Sequence, residues 1–341
     1  MSTTSVSIAI LGATGMVGQT MVQLLSAHPW FDVVFVGASQ RSMGRRYDEA
    51  TRWRLSGEIP PQVGELPVLP CDPTKLPGGV RVVLSALDSK VAGPIERAFA
   101  DAGYMVVTNA SAWRMHPDVP LVIPEVNPDH LELLQRTQGG ILANPNCCAI
   151  PLAMALAPLH RKWTVESVTV ATWQAVSGAG YPGESAWDMV GNVHPHAGDE
   201  ETRLAQEPLK ILGSSSKPAE ISVSARCVRV PVADGHLLGV HVRLKDNPSP
   251  SDVAQAMSAW MGQSPQLPSC PAQPLRISPH RDRPSPRFDA SADGGMAVTI
   301  GRIEACPVMG VKFFAMASNT IRGAAGAAIA NAELLLYKDL I

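Results

Sequence analysis

The residue best placed to do chemistry in this chain is a thiol held in a forced turn. Asn144-Pro145-Asn146 follows the short apolar run Gly140-Ile141-Leu142 and leads into Cys147-Cys148-Ala149-Ile150, where a buried helix begins. Proline pre-sets its φ and asparagine bonds to local backbone, so the turn is sharp and aims the side chain of Cys147 outward. A cysteine in the first turn of a helix faces unpaired N–H groups at the positive end of the dipole, which favour thiolate, the nucleophilic form. The competing reading is a small buried hydrophobe. Cys148, one step further round the helix, is expected to point elsewhere and to serve as packing.

A thiol that accepts a carbonyl carbon needs an acid/base group, a group to position the carbonyl, and fixed charges to hold the substrate. The segment Arg229-Val230-Pro231-Val232-Ala233-Asp234-Gly235-His236 offers two of these. Arg229 lies within a strand, where a guanidinium is costly unless paired, so it is either a carboxylate ligand or half of a structural ion pair. His236 follows an Asp-Gly turn and is either a group titrating near neutrality or a surface histidine. Gln174, inside an apolar run, is either a positioning amide or an interior amide bonded to backbone. Glu200 opens a helix with Arg203 one turn on, and its simplest role is to complement the helix dipole. His194 and His196 have no nearby cysteine and are read as loop residues, so no metal site is expected.

The elements that must position these groups fall into two sets. Strand Ser5–Leu11, the loop Gly12-Ala13-Thr14-Gly15-Met16-Val17-Gly18 and the helix that follows form a strand, a glycine loop and a helix. That arrangement lets a pyrophosphate approach backbone N–H groups at a helix N-terminus. The G-x-x-G-x-x-G spacing departs by one position from the commoner dinucleotide fingerprint, so its place at the first strand-helix junction carries the assignment. After the second strand, Val33–Val36, no acid stands where ribose hydroxyls would be held; Ser39, Arg41 and Ser42 suit a 2′-phosphate, and NADP is the expected cofactor. Strands at Val82–Leu87 and Met105–Val107 continue the alternation, ending at Ser85 and in the polar loop from Thr108 and Asn109 to Arg114. The set reads as a parallel, doubly wound α/β sheet with ligands at the strand ends. Beyond Cys147 the long run Val168–Val176 and strands near 222–231, 238–244 and 298–302 indicate a second, largely antiparallel α+β domain. The Ala-rich tail from Asn319 to Tyr337 is expected to be helical and to return to the first domain.

Composition narrows the function classes. The 341 residues exceed one core, and Lys plus Arg (28) nearly balance Asp plus Glu (30), so two domains and a small-molecule partner are expected, not nucleic acid or a membrane. No apolar run reaches spanning length, and Met1–Val6 is too polar for a secretory signal, which predicts a cytoplasmic protein. Six scattered cysteines argue against a disulfide framework.

Taken together, Gly12–Gly18, Ala38–Gly44, Asn109–Pro128, Asn144–Cys147, Gln174–Gly183, Glu200–Gly213, Arg229–His236 and Asn319–Gly326 resemble the aspartate-semialdehyde dehydrogenases, in the branch found in archaea and fungi. The resemblance runs the full length. It implies a Rossmann-type NADP-binding domain over 1–146, completed by a C-terminal helix over 320–341, and a catalytic and dimerisation domain over 147–319. It implies Cys147 as nucleophile, Gln174 orienting the acyl group and His236 as acid/base. Arg229 would bind the substrate carboxylate and Glu200 its amine, while Arg203 and Arg114 hold phosphate beside Asn146 and Asn109. The cofactor would lie on Gly12, Thr14, Gly15, Met16, Val17, Ser39, Arg41, Ser42, Ser85 and Gly178, with Asn319 facing the nicotinamide. The implied reaction is reversible, phosphate-dependent oxidation of L-aspartate 4-semialdehyde to L-4-aspartyl phosphate by a homodimer or homotetramer. Cys148-Ala149 where Ser-Thr is usual, Arg203 where Lys is usual and Ser318 where His is usual keep an acyl-CoA reductase, such as the malonyl-CoA reductases, as the alternative enzyme. A catalytically silent NADP-binding regulator is the alternative from another class, and the presence of Cys147, Gln174, Arg229 and His236 together argues against it.

Overall fold

The computed structural model describes residues 5–136 and 139–341; Met1 to Thr4, within the stretch read as too polar for a signal, lie outside the described residues. The chain divides into two compact units, the first Met1–Val122, His130–Asn144 and Ala324–Ile341, the second Ile123–Asp129 and Pro145–Gly323.

Unit 1 is built on six parallel strands, β1 (Val6–Leu11), β2 (Phe31–Gly37), β3 (Val68–Leu69), β4 (Val82–Ser85), β5 (Met105–Thr108) and β6 (Gly140–Ala143), in the order β3-β2-β1-β4-β5-β6. The strands are near-continuous Val, Ile and Leu because a parallel sheet is covered on both faces, and Ile8 to Leu11 and Val82 to Leu84 have no exposed surface. The order reverses between β1 and β4, the switch point outside whose C-terminal strand ends such sheets take ligands. Helix α1 (Met16–Leu25) follows β1, and α2 (Ser89–Asp101) follows β4 behind an Asp88 cap. The tail, Ala324–Ile341, is part of this unit and packs on β4 and β5. Asn331 donates to the Val122 carbonyl (3.0 Å), and His28 meets the buried Glu333 at 2.7 Å, which pins the tail helix to the body.

Unit 2 carries a mixed sheet of β7 (Val165–Gln174), β8 (Ser222–Arg229), β9 (His236–Leu244), β10 (Leu275–Ser278), β11 (Val298–Cys306) and β12 (Gly310–Ala317), in the order β10-β11-β12-β9-β7-β8. Only the two outer pairings, β10 with β11 and β7 with β8, are parallel. Alternation on β7 sends Val168, Val170, Thr172 and Gln174 inward and leaves Thr169 and Trp173 exposed. Helix α3 (Ala149–Trp163) lies on the sheet against β7, β9, β11 and β12, and α4 (Glu200–Leu212) packs on α3 and β8. Strand β12 was not anticipated, because Ala315-Met316-Ala317 is a continuous buried run that breaks the two-residue alternation.

The units differ in extent from the 1–146 and 147–319 division. Ile123–Asp129 goes with unit 2 because Glu125 forms a bidentate, fully buried ion pair with Arg322 (2.7 and 2.7 Å), its carbonyl accepts the Gln263 N–H, and the Val126 carbonyl accepts from Arg161. The return to unit 1 comes at Ala324, within a π-helical turn at Ile321–Ala325 that precedes the tail helix α6 (Gly326–Tyr337). Between α4 and α6 lie the nine-residue α5 (Pro250–Ser258), opened by a Ser249–Asp252 capping box, and a single helical turn at Pro286–Asp289.

Candidate active site

The turn before α3 is fastened at every polar atom of Asn146. Its Oδ1 accepts the N–H groups of Cys148 (2.8 Å) and Ala149 (3.3 Å), so this side chain caps the helix, and its carbonyl accepts the Ile150 N–H. Its Nδ2 donates to both oxygens of Glu200 (2.9 and 2.9 Å), and its backbone N–H donates to Glu207 Oε2 (2.5 Å). Asn146 therefore shapes the turn with groups that the resemblance had set beside the phosphate. Cys147 sits just ahead of the helix and is half-buried. On its other side the Gly323 Cα is so close that a Cβ there would lie 2.6 Å from the Cys147 Cβ.

Cys147, Cys148 and His236 each bring a donor atom within 4.8 Å of the other two. This corrects the expectation that Cys148 points elsewhere: one residue apart at a helix start, both sulfurs lie beside the same imidazole. Cys148 is nonetheless fully buried, and burial, followed by the neighbouring Cys147 sulfur, pushes its thiol well up. Burial likewise pushes Cys227 up to about 11. Both are thus kept as thiols, and Cys147 is the one that solvent reaches.

His236 is held in one tautomer. Its Nδ1 accepts the Ala175 N–H (3.0 Å), so the ring proton sits on the buried Nε2, which has no hydrogen-bond partner among the described residues. A metal-bound imidazole needs the reverse, with the second nitrogen donating, so the cluster of two thiols and a histidine suits proton-donor chemistry better than a cation. Gly178 covers this ring: a Cβ on it would lie 2.8 Å from Arg229 Nη1 and 2.9 Å from His236 Nε2. Asn319 ties the loops on either side, accepting from the Gly235 N–H (2.9 Å) and donating to Ser177 Oγ (2.9 Å).

The charged candidates of unit 2 form one hydrogen-bonded run. Arg203 Nη1 donates to Glu200 Oε1 (3.0 Å), Gln174 Nε2 donates to Glu200 Oε2 (3.4 Å), and Arg229 Nη1 donates to Gln174 Oε1 and the Ala175 carbonyl (3.1 and 3.1 Å). Burial raises the Glu200 pKa, and the Cys147 sulfur adds to it against the pull of Asn146 and Arg203. Arg229 and Gln174 are buried, whereas a third of the Arg203 side chain meets solvent.

In unit 1 the glycine loop is tightly closed. Gly12 has φ +74°, and a Cβ there would strike the Ala86 carbonyl at 2.5 Å; a Cβ on Gly18 would strike Gly12 O at 2.3 Å. Helix α1 begins at Met16 behind Gly15 at the cap position, which offers no side chain to the first N–H groups of the helix. The Thr14 carbonyl is taken by Gln19, and the hydroxyl of the buried Tyr47 donates to the Ala13 carbonyl (2.8 Å). After β2, the Ser42 N–H donates to the Ser39 carbonyl, and Ser39 and Arg41 stand exposed on that turn. The donor set fits a dinucleotide carrying a 2′-phosphate. Ser85 turns inward and gives its hydroxyl to Glu96 (2.6 Å), so any cofactor contact there falls to its backbone. Asn109 and Arg114 belong to this unit, with Arg114 Nη2 donating to the Asn109 carbonyl (2.7 Å) and Asn144 donating to Asn109 Oδ1 (2.9 Å).

Residues 7–134 match the family model described as semialdehyde dehydrogenase, NAD binding domain, and residues 156–322 match semialdehyde dehydrogenase, dimerisation domain. An aspartate-semialdehyde dehydrogenase of Methanothermobacter thermautotrophicus is 44% identical over 97% of this chain and 99% of its own. The chain belongs to the aspartate-semialdehyde dehydrogenase family. The enzyme of that name from Schizosaccharomyces pombe is 39% identical over 98% of this chain and 99% of its own. The Candida albicans enzyme, solved with NADP, superposes with a TM-score of 0.92 at 36% identity, covering 99% of this chain and all of that one. Both domains are thus those of the family, and the dimerisation domain marks the chain as a homo-oligomer. Among the described residues no helix is long and apolar enough to cross a membrane.

Three residues escaped the sequence reading. Glu207 carried a signal, being a second acid on the buried stripe of α4 seven residues after Glu200. Gly323 and Tyr47 carried none, since their roles come from contacts far along the chain.

Proposed function

We propose that this chain catalyses the reversible, NADP- and phosphate-dependent oxidation of L-aspartate 4-semialdehyde to L-4-aspartyl phosphate, with biosynthetic flux toward the aldehyde. One observation carries the reading: Arg203, Glu200, Gln174 and Arg229 form a single hydrogen-bonded run in the unit that holds Cys147 and His236. A guanidinium at each end and a carboxylate between them complement a substrate with a carboxylate and an ammonium, and an anion that must attack it.

The Cys147 thiolate adds to the aldehyde carbon; a C–S bond forms and the carbonyl π pair moves to oxygen. His236 presents Nε2–H to that oxygen, stabilising the thiohemiacetal alkoxide as an oxyanion donor does. NADP⁺, when bound, accepts the hydride the alkoxide expels, and the thioester remains on Cys147. Gln174 orients the acyl group, and Arg229 and Glu200 hold its carboxylate and amine. Arg203 brings phosphate to the thioester; a C–O bond forms, the C–S bond breaks, and thiolate returns. Gly178 leaves no room for a side chain over Arg229 and His236, which keeps that wall flat for substrate.

The oligomer is a homodimer or homotetramer formed on the open face of the second sheet, where Trp173 is exposed and packs at a tilt on Phe314 (6.2 Å between ring centroids, 47° between planes). The compartment is the cytoplasm, in keeping with six cysteines joined in no disulfide among the described residues. The test follows NADPH formation from aspartate semialdehyde with and without phosphate, and NADPH consumption with malonyl-CoA. Phosphate-dependent turnover of the semialdehyde supports the reading; turnover of malonyl-CoA alone transfers the chain to acyl-CoA reduction.

A further inference from the structure

Helix α4 buries Glu200, Leu204, Glu207 and Ile211, one stripe at four- and three-residue steps. Two carboxylates on an otherwise apolar stripe require a reason, because an ionised group taken from water is costly unless bonded. Glu200 belongs to the run described above. Glu207, 1% exposed, reaches the backbone N–H of Asn146 at 2.5 Å. That N–H is the first donor after Pro145, which has none.

We propose that Glu207 is a positioning residue for Cys147, setting the height of the Asn146–Cys147 peptide above α4. The inference rests on Cys147 being the nucleophile. Glu200 grips the same asparagine through its side chain, so α4 holds the turn at two points, and Gly323 closes on it from the opposite side. Two points with a backstop fix both the position and the tilt of the turn. Glu207 acts through reach: an acceptor must arrive at the Asn146 N–H, and the acceptor's charge is secondary.

Two variants separate reach from charge. Glu207→Gln keeps the length and a carbonyl acceptor; Glu207→Asp keeps the charge but is one methylene short. The readouts are kcat, KM for each substrate, and the pH profile of iodoacetamide labelling at Cys147 by peptide mass mapping, on protein whose melting and NADP binding match the parent. Glu207→Gln should stay within about tenfold of the parent in kcat and labelling, whereas Glu207→Asp should lose about a hundredfold in kcat, the loss expected for roughly 1 Å of misplacement. NADP affinity should be unchanged in both. Equal losses, or a better Glu207→Asp, overturn the proposal. If Glu207→Asp does not fold, Glu207→Gln decides alone, and a hundredfold loss in it is the overturning result. Labelling reports the position of the thiol without turnover, and Cys147→Ala tests its identity as nucleophile, so failure of either reading is recognised separately.

Discussion

Replacing Gly323 by alanine tests whether the nucleophile turn is held from behind. The added Cβ would lie 2.6 Å from Cys147 Cβ and 3.0 Å from its Cα. Carbon atoms prefer separations of about 3.5–4.0 Å, so the contact is short by roughly 1 Å. Neither side gives readily. The Gly323 N–H donates to the Ser318 carbonyl (2.8 Å), and the preceding Arg322 is locked on Glu125; opposite it, Asn146 is fastened at every polar atom. Overpacking of this kind costs about 1–3 kcal/mol. Displacing a reacting atom by about 1 Å costs on the order of a hundredfold in rate. Gly323→Ala should therefore melt a few degrees lower, bind NADP as the parent does, and show both kcat and the single-turnover burst of NADPH reduced about a hundredfold. Parental kcat with lowered melting would show that the strain relaxes elsewhere and that Gly323 does not define the thiol's position.

Arg41→Ala should weaken NADP far more than NAD, since a charge-assisted bond is worth about 1.5–3 kcal/mol, roughly tenfold to a hundredfold in affinity; equal losses in titrations with the two cofactors would remove Arg41 from the 2′-phosphate. Glu200 has a folded-state pKa raised above 4.5, mainly by burial. Its contribution to stability is fully present below that pH and is lost as pH rises through the raised value. Melting of Glu200→Gln relative to the parent should therefore improve from pH 4.5 upward while turnover falls, and a variant that loses ground with rising pH contradicts the burial argument. Arg203→Leu should raise the phosphate requirement while the NADPH burst survives, because acylation of Cys147 precedes any need for the anion; a lost burst with unchanged phosphate dependence would move Arg203 to the aldehyde end.

Unit 1 was legible because its signals are local. A glycine loop between a strand and a helix, and a missing acid after β2, are patterns within a few residues, and β1, α1 and β2 form where those patterns stand. Helix α4 was legible for the same reason, opening at the acids Glu200 and Glu201. The neighbourhood of Cys147 was legible only in part. The Asn-Pro-Asn turn announced an aimed residue, but periodicity treats neighbours on a helix as diverging, and Cys148 shares the environment of Cys147 because the turn enters α3 before regular helix begins. Gly323 lies 176 positions from Cys147 and Arg322 lies 197 from Glu125. Nothing in the spacing of a linear chain encodes such pairs; they appear once β12 delivers its end to the site.

These distant pairs explain why unit 2 buries so much charge near one thiol. Glu125 with Arg322 and Glu207 with the Asn146 N–H are interior groups whose desolvation is unfavourable, and apolar replacements of similar volume often match or exceed a buried ion pair in stability. Burial opposes the Glu125 charge, and the Arg322 guanidinium outweighs it, holding the carboxyl below its usual range. Stability alone therefore does not account for them. Position does: the ion pair fixes the π-helical turn that presents Gly323, and Glu207 fixes the turn that presents Cys147. A hydrogen bond or ion pair has a preferred length and direction, which dispersion between methyl groups lacks, so polar clamps define where an atom sits more narrowly than apolar packing does. A nucleophile that must meet a carbonyl carbon within a fraction of an ångström is the place where that narrowness outweighs the desolvation.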